Sequence, residues 1–390
     1  MSSSIPPSPP QDALAPPELV WTENGAPQRA HWRSESGAAP PRRVVVADDA
    51  MTADAAYRLA CEGTALLWRG DYHNARQLLQ AMARRIDRRA ADSGKKRPPA
   101  AYPEAFHLHR QARAQRARTL GMLLVPVGIG HVLALRRAPD VAQACQDVYG
   151  DADRPYVASL RELLGLIGAR QWREKGVPVA GVGTIHPHYG VYSPVRGEYL
   201  DLVAQATLPA LDLAFDIGTG TGVIAALLAR RGVRRVIATD QDPRALACAA
   251  ENIARLGLTG HVALIRADLF PDGRAPLIVC NPPWVPARPA APIEYAVYDP
   301  ESRMLRGFLA GLAAHLTDEG EGWLILSDLA EHLGLRRRDE LLAWIAQAGL
   351  EVAGRLDTRP AHRKAADAAD PLHAARVREV TSLWRLRRPA

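Results

Sequence analysis

From residue 211 onward, short apolar runs alternate with longer segments whose apolar residues recur every three or four positions. LDLAFDIG (211–218), RRVIATD (234–240), HVALIRAD (261–268), APLIVCN (275–281) and GWLILSD (322–328) have strand length and are rich in Val, Ile and Leu. Helical periodicity covers about 221–231, 242–257, 301–316 and 330–348. Strands that are apolar on both faces and joined by helical crossovers predict an α/β fold, with a mostly parallel sheet covered on both sides. Two further strand-like runs, EVAGRLD and VREVTSLWRLR, follow with no long helix between them. They are expected to pair as a hairpin at one edge of the sheet.

Upstream, the pattern predicts three different regions. Residues 1–41 are rich in Pro, Ser and Ala, carry Trp21 and Trp32 as their bulky residues, and read as a disordered tail. Residues 42–172 read as a helical accessory domain. Thr52 is a candidate N-cap for a helix running through AAYRLACEGTALLW, Gly70 punctuates it, and a second helix begins near Asp71. After the basic loop GKKRPPAAYP, a helix over 102–120 carries Arg110, Arg113, Arg116 and Arg118, and two more helices are expected near 139–149 and 154–171. VPVAGVGTIHPHYGVYSP (177–194) has the Gly and Pro punctuation of a β-hairpin linker, which opens a third region over 173–390.

Charge and composition add little to this picture. The net charge is +7, with 45 Arg against 4 Lys. This allows an anionic partner such as RNA or the ribosome, for which helix 102–120 is the candidate surface, but an Arg-rich solvated face explains it equally well. Four cysteines without CxxC spacing argue against a disulfide framework or a zinc site, and the pairs His107/His109 and His186/His188 lack accompanying metal ligands. No run approaches the ~18 apolar residues of a membrane span and the start has no secretory pattern, so a cytoplasmic location is expected.

The chemistry concentrates in Asp216-Ile217-Gly218-Thr219-Gly220-Thr221-Gly222, which closes the first strand and opens a helix. Glycines there let the backbone turn sharply and lie directly against a ligand. Gly220 to Ala225 also fits the GxGxxA pattern of nicotinamide and flavin enzymes. Three carboxylates shift the balance. Asp216 before the first glycine suits a cationic amino-acid group, Asp240 at the second strand end suits two ribose hydroxyls, and Asp268 with Leu269 at the third suits an adenine amine. Asp242, before Pro243, is explained as a helix N-cap. These residues look like those with which the methyltransferase family holds S-adenosylmethionine.

The fourth strand ends in Asn281-Pro282-Pro283-Trp284. The two prolines remove backbone donors and fix the chain direction. The Asn281 side-chain oxygen and the Pro282 carbonyl are left as acceptors for the two hydrogens of an amide or exocyclic amine, whose nitrogen they pull toward tetrahedral geometry. Trp284 is placed to stack on the planar acceptor. A strong base is unnecessary, because the nitrogen's extra proton becomes acidic once the methyl is attached.

The order DIGTGTG, ATDQDP, AD, NPPW resembles the HemK-type glutamine N-methyltransferases and the wider small-methyltransferase-domain group, over roughly residues 185–350. The resemblance implies a Rossmann-like class I methyltransferase sheet, S-adenosylmethionine as cofactor, and a macromolecular substrate. It departs in Trp284 where Tyr is usual, and in the linker GVYSPVRGEYL, whose Tyr192, Arg196 and Glu198 are candidates for lining the site. Three functions stay open at this point. They are glutamine amide methylation, methylation of an rRNA or DNA base amine, and nucleotide sensing without chemistry; NPPW argues against the last.

Overall fold

The computed structural model describes residues 17–94, 100–194, 197–289, 292–360 and 370–389. They fall into two compact units, Met1–Ser93 with Arg116–Gly165, and Gly94–Gln115 with Leu166–Ala390.

The first unit departs from the expectation of a tail followed by helices. Its strands are β1 (Glu18–Glu23), β2 (Ala26–Trp32), β3 (Arg43–Ala47), β4 (Thr64–Trp68), β5 (Leu123–Val127) and β6 (Tyr156–Ser159). They form one six-stranded sheet in the order β1-β2-β6-β5-β4-β3. The unit's helices are α1 (Ala53–Cys61), α2 (Tyr72–Gly94) and α4 (Ala142–Tyr149), together with the C-terminal part of α3 (Glu104–Gly121) and the start of α5 (Leu160–Lys175), whose remaining residues belong to the second unit.

Two physical reasons explain the differences. Asn24 and Gly25 both take positive φ, +52° and +75°, so they make the two-residue turn that joins β1 to β2. That hairpin buries Trp21 and Trp32 and replaces the disorder expected for this part of 1–41; residues 1–16 lie outside the described residues. In the second region, Thr52 does cap α1, accepting the Ala55 N–H at 3.3 Å. The helix stops at Cys61, however, because Gly63 turns at φ +77°. All five residues of TALLW are buried, as in a central strand covered on both faces, so the accessory region is mixed α/β. Asp71 sits at the start of α2, where it accepts the His73 N–H and pairs with Arg136 and Arg137 at 3.1 and 2.6 Å.

In the second unit, β7 (Val177–Val179) and β8 (Gly183–Ile185) form an antiparallel hairpin. A seven-stranded sheet follows, built from β9 (Leu213–Ile217), β10 (Arg235–Asp240), β11 (Val262–Arg266), β12 (Ala275–Cys280), β13 (Leu316–Ser327), β14 (Glu351–Thr358) and β15 (Thr381–Arg387). Its order is β11-β10-β9-β12-β13-β15-β14. The first five strands are parallel; β15 runs antiparallel to both β13 and β14, so the terminal hairpin has β14 at the edge. The covering helices are α6 (Glu198–Gln205), α7 (Val223–Arg230), α8 (Pro243–Arg255), α9 (Arg303–His315), α10 (Leu329–His332), α11 (Arg338–Gln347) and α12 (His373–Arg376). Two apolar clusters, one on each face, bury the sheet: Ala214, Leu277, Val279 and Trp323 point to one side, Phe215, Ile217, Ile278 and Leu324 to the other. The chain order reverses between β9 and β12, which makes the carboxyl ends of these strands the place where an open α/β sheet receives a ligand. No helix among the described residues is long and apolar enough to cross a membrane.

Leu67 tests the assignment of the first unit, since it is fully buried in a central strand rather than on one face of a surface helix. Leu67→Ala should cost about 2–5 kcal/mol in urea unfolding, whereas a half-exposed helical leucine would lose well under that.

Candidate active site

β9 delivers Asp216 and Ile217 to the carboxyl edge, and the chain turns there through Gly218, Gly220 and Gly222 at φ of +72°, +55° and +81°. Side chains other than glycine are strained in that region. At Gly218 a Cβ would also lie 2.4 Å from the Met304 methyl; at Gly220 it would meet nothing within 4 Å, so the backbone there borders open space. The Thr219 N–H donates to the Thr239 carbonyl at 2.8 Å and ties the loop to β10.

Asp216 is 1% exposed. Its Oδ2 accepts the Thr219 hydroxyl at 2.6 Å and the Ala225 N–H at 3.0 Å, while its Oδ1 has no partner among the described residues. Burial pushes this carboxyl up to about 7, and the nearby Asp240 acts in the same direction. A buried carboxylate with one oxygen unanswered is what a cationic ligand group would complete.

Asp240 closes β10. Its Oδ2 accepts the Gly220 N–H and its Oδ1 the Asp242 N–H, both at 3.0 Å, so the carboxylate is oriented in advance. Burial raises its pKa. Asp242 caps α8 through the Arg244 N–H, as expected for an Asp-Pro start. Asp268 lies two residues past β11, exposed, with Oδ2 held by Arg303 at 2.8 Å. Leu269 follows at φ +77°, a conformation that costs of order 1–3 kcal/mol for a non-glycine residue. The Thr239 hydroxyl donates to its carbonyl at 2.6 Å and holds it there. Glycine loop, Asp240 and Leu269 are therefore one hydrogen-bonded assembly. Its unanswered carboxylate oxygen and open glycine backbone fit the amino-acid and ribose parts of S-adenosylmethionine.

Asn281 follows directly on β12, with Pro282 buried and Asn281, Pro283 and Trp284 half-buried. The Trp284 indole N–H donates to Asn281 Oδ1 at 2.9 Å. The sequence reading anticipated a stacking surface; the hydrogen bond adds a second use, fixing which end of the Asn281 amide is oxygen. A carbonyl oxygen has two lone pairs, so one is left for an acceptor hydrogen. Trp284 itself is held where three apolar clusters meet.

Several residues of this edge were not foreseen. Asp299, 5% exposed, accepts the Met304 and Leu305 N–H groups at 3.0 and 3.1 Å and so caps α9 beside Gly218. Its signal was present, since Asp299-Pro300 repeats the Asp242-Pro243 pattern. The basic helix spends two of its arginines internally. Arg110 donates to the Arg288 carbonyl and Glu294, and Arg116 pairs with Asp87, while Arg113 and Arg118 are exposed. His186 Nδ1 bonds the Arg173 carbonyl and His188 Nε2 bonds Glu251. In the linker, Tyr192 is half-buried and Glu198 opens α6; Arg196 lies outside the described residues.

The raised pKa of Asp216 gives a pH dependence with a definite sign. Because the folded carboxyl titrates near 7 rather than at its ordinary 3.8, the empty protein loses stability as pH rises between those values. A cation favours the ionised form, so affinity for S-adenosylmethionine should increase about tenfold per pH unit up to about 7 and level off above. Calorimetric titrations from pH 5 to 8 measure this, and Asp216→Asn should bind weakly with a flat profile. Asp240→Ala should weaken binding about 10–100-fold, the loss of hydrogen bonds to a charged group.

Residues 183–332 match the family model of the methyltransferase small domain. The ribosomal protein L11 methyltransferase of Pelotomaculum thermopropionicum is 34% identical over 140 residues, 34% of this chain and 42% of that protein. The release factor glutamine methyltransferase of Cereibacter sphaeroides is 41% identical over 119 residues, 30% of this chain and 41% of that protein. A second L11 methyltransferase, from Sorangium cellulosum, is 28% identical over 242 residues, 55% of this chain and 69% of that protein. The chain thus spans less than half the length of the first two. The segment 183–332, which holds the glycine loop, the strand-end carboxylates and the Asn-Pro-Pro-Trp turn, matches the methyltransferase small domain and is similar to S-adenosylmethionine-dependent methyltransferases.

Proposed function

We propose that this chain is an S-adenosylmethionine-dependent N-methyltransferase acting on a glutamine side-chain amide in a protein of the translation machinery. The observation that carries the reading is the Asn281-Pro282-Pro283-Trp284 turn. It places an oriented acceptor oxygen at the end of β12, the strand adjacent to the one that bears Asp216. S-adenosylmethionine, when bound, supplies a methyl group on a positively charged sulfur. Asn281 Oδ1 and the Pro282 carbonyl hold the two amide hydrogens and turn the nitrogen lone pair toward that methyl. Trp284 keeps Asn281 in the productive rotamer and presents an aromatic surface to the planar amide. The relatives named for release factor and ribosomal protein L11 methylation support a protein acceptor. The burial of Arg110 removes one of the cations on which an RNA-binding helix would rely, and the surface ion pair with Asp87 offsets the charge of Arg116.

The test is methyl transfer from radiolabelled S-adenosylmethionine to purified release factor, to ribosomal protein L11 and to deproteinised ribosomal RNA. Label in either protein supports an amide or amine acceptor there, and a glutamine product on peptide mapping completes the assignment. Label in RNA alone would replace this reading with base methylation. Asn281→Ala should leave S-adenosylmethionine affinity within about twofold and lower turnover by on the order of 10²–10³, as for removal of one positioned polar contact at a reacting centre. Unchanged turnover would remove the turn from the mechanism.

A further inference from the structure

The N-terminal half of α3, residues 104–115, belongs to the second unit although the sequence places it in the accessory region. Its Phe106 is 2% exposed and packs with Val285, Leu329 and Leu333 in an apolar cluster that Trp284 and Tyr298 adjoin. One turn further along, Arg110 is largely buried, its side chain 19% exposed. The guanidinium lies 3.8 Å over the Tyr298 ring, and its Nη2 donates to the Arg288 carbonyl at 2.6 Å and to Glu294 at 3.3 Å. All three partners lie on the segment that leaves the Asn-Pro-Pro-Trp turn.

That segment is laced to the turn itself. The Val285 N–H donates to the Val297 carbonyl at 3.2 Å, and the Asp299 N–H donates back to the Val285 carbonyl at 2.9 Å. Tyr298, the ring under Arg110, therefore lies between the two residues that grip Val285. Val285 follows Trp284, whose indole holds Asn281. The glycine loop has anchors of its own on β9 and β10: Thr219 and Ala225 bond Asp216, Gly220 bonds Asp240, and the Thr219 N–H bonds the Thr239 carbonyl, none of which touches Arg110 in the contacts described.

We propose that Arg110 is a positioning residue for the acceptor side of the site: through Tyr298 and Glu294 it sets the placement of the Val285–Trp284 corner, and hence of Asn281. The inference rests on the methyltransferase reading and adds to it a role for α3 that is steric and local. A planar guanidinium suits it, because the plane stacks on the Tyr298 ring while one nitrogen, Nη2, bonds a carbonyl and a carboxylate; lysine offers no plane to stack. A displacement of about 1 Å at a reacting group can cost on the order of 10²-fold in rate, so a remote brace can govern turnover without touching substrate.

The experiment uses the full chain with Arg110→Met, Arg110→Lys and Arg113→Met, Arg113 being exposed on the same helix. Affinity for S-adenosylhomocysteine is read by calorimetry, turnover by the labelled-methyl assay on release factor and L11, and backbone order by hydrogen exchange of peptides covering 281–289 and 213–225. Both Arg110 variants should lower turnover by roughly 10–10²-fold and speed exchange of 281–289 at least about fivefold. Cofactor-product affinity and exchange of 213–225 should stay within about twofold, as should every reading for Arg113→Met. Unaltered exchange of 281–289 in Arg110→Met overturns the assignment, as does full turnover despite faster exchange. Equal losses in Arg113→Met would mean that the helix acts through its charge, and overturn it too. Should the unsubstituted chain transfer no methyl to any acceptor, the functional reading fails, and the exchange comparison alone decides whether Arg110 braces the turn.

Discussion

Burial of the Asp216 carboxylate is the constraint around which the second unit is arranged. A carboxylate that is 1% exposed is costly to ionise, and two hydrogen bonds from the described residues, both to Oδ2, offset part of that cost. The groups that supply them, Thr219 and Ala225, belong to the glycine loop and the helix it opens. The loop must therefore fold back on the strand end, which the three positive-φ glycines permit. Once it does, Gly220 presents its N–H to Asp240, Thr219 meets the end of β10, and Thr239 reaches Leu269. Three strand ends are thus locked to one another by the requirement to satisfy one carboxylate.

The other half of the site depends on a different kind of interaction. Around Asn281 the backbone has lost donors to Pro282 and Pro283, so the turn is held mainly by side chains and by packing. Trp284 supplies both, with its ring in apolar contact and its N–H on Asn281. Val297 and Asp299 hold this corner through Val285, and Asp299 also caps α9 beside Gly218. The glycine loop is accordingly fixed by hydrogen bonds within the sheet edge, whereas the Asn-Pro-Pro-Trp corner is fixed by apolar packing, with Phe106 of α3 among its neighbours.

The two units also show how the same pattern can be read well and badly. Parallel strands in the second unit were legible because they are short apolar runs, all but β11 and β12 separated by helices with clear periodicity and Asp-Pro or glycine punctuation. In the first unit, TALLW directly follows α1, and its apolar residues continue the helical spacing. Only the turn at Gly63 and burial on both faces separate strand from helix. The hairpin of β1 and β2 carried a usable signal in Asn24-Gly25, masked by the surrounding Pro and Ser content.

By itself, the sequence determined the chemistry of the site: an acid before a glycine loop, acids at the next strand ends, and an Asn-Pro-Pro-Trp turn after the fourth strand. These are local, because each depends on residue type and on its place at the end of a strand. What only the tertiary structure decided are the partnerships between distant segments. Arg110 pairs with residues 178 and 184 positions away, so an arginine that reads as a solvated cation is largely buried against the segment after the Asn-Pro-Pro-Trp turn. Asp268 is drawn to Arg303, and Trp284 donates a hydrogen bond as well as offering a ring face. Charge and aromaticity are properties of a residue, but whether they face solvent, a ligand or another side chain is set by which elements pack together, and no spacing along the chain encodes that.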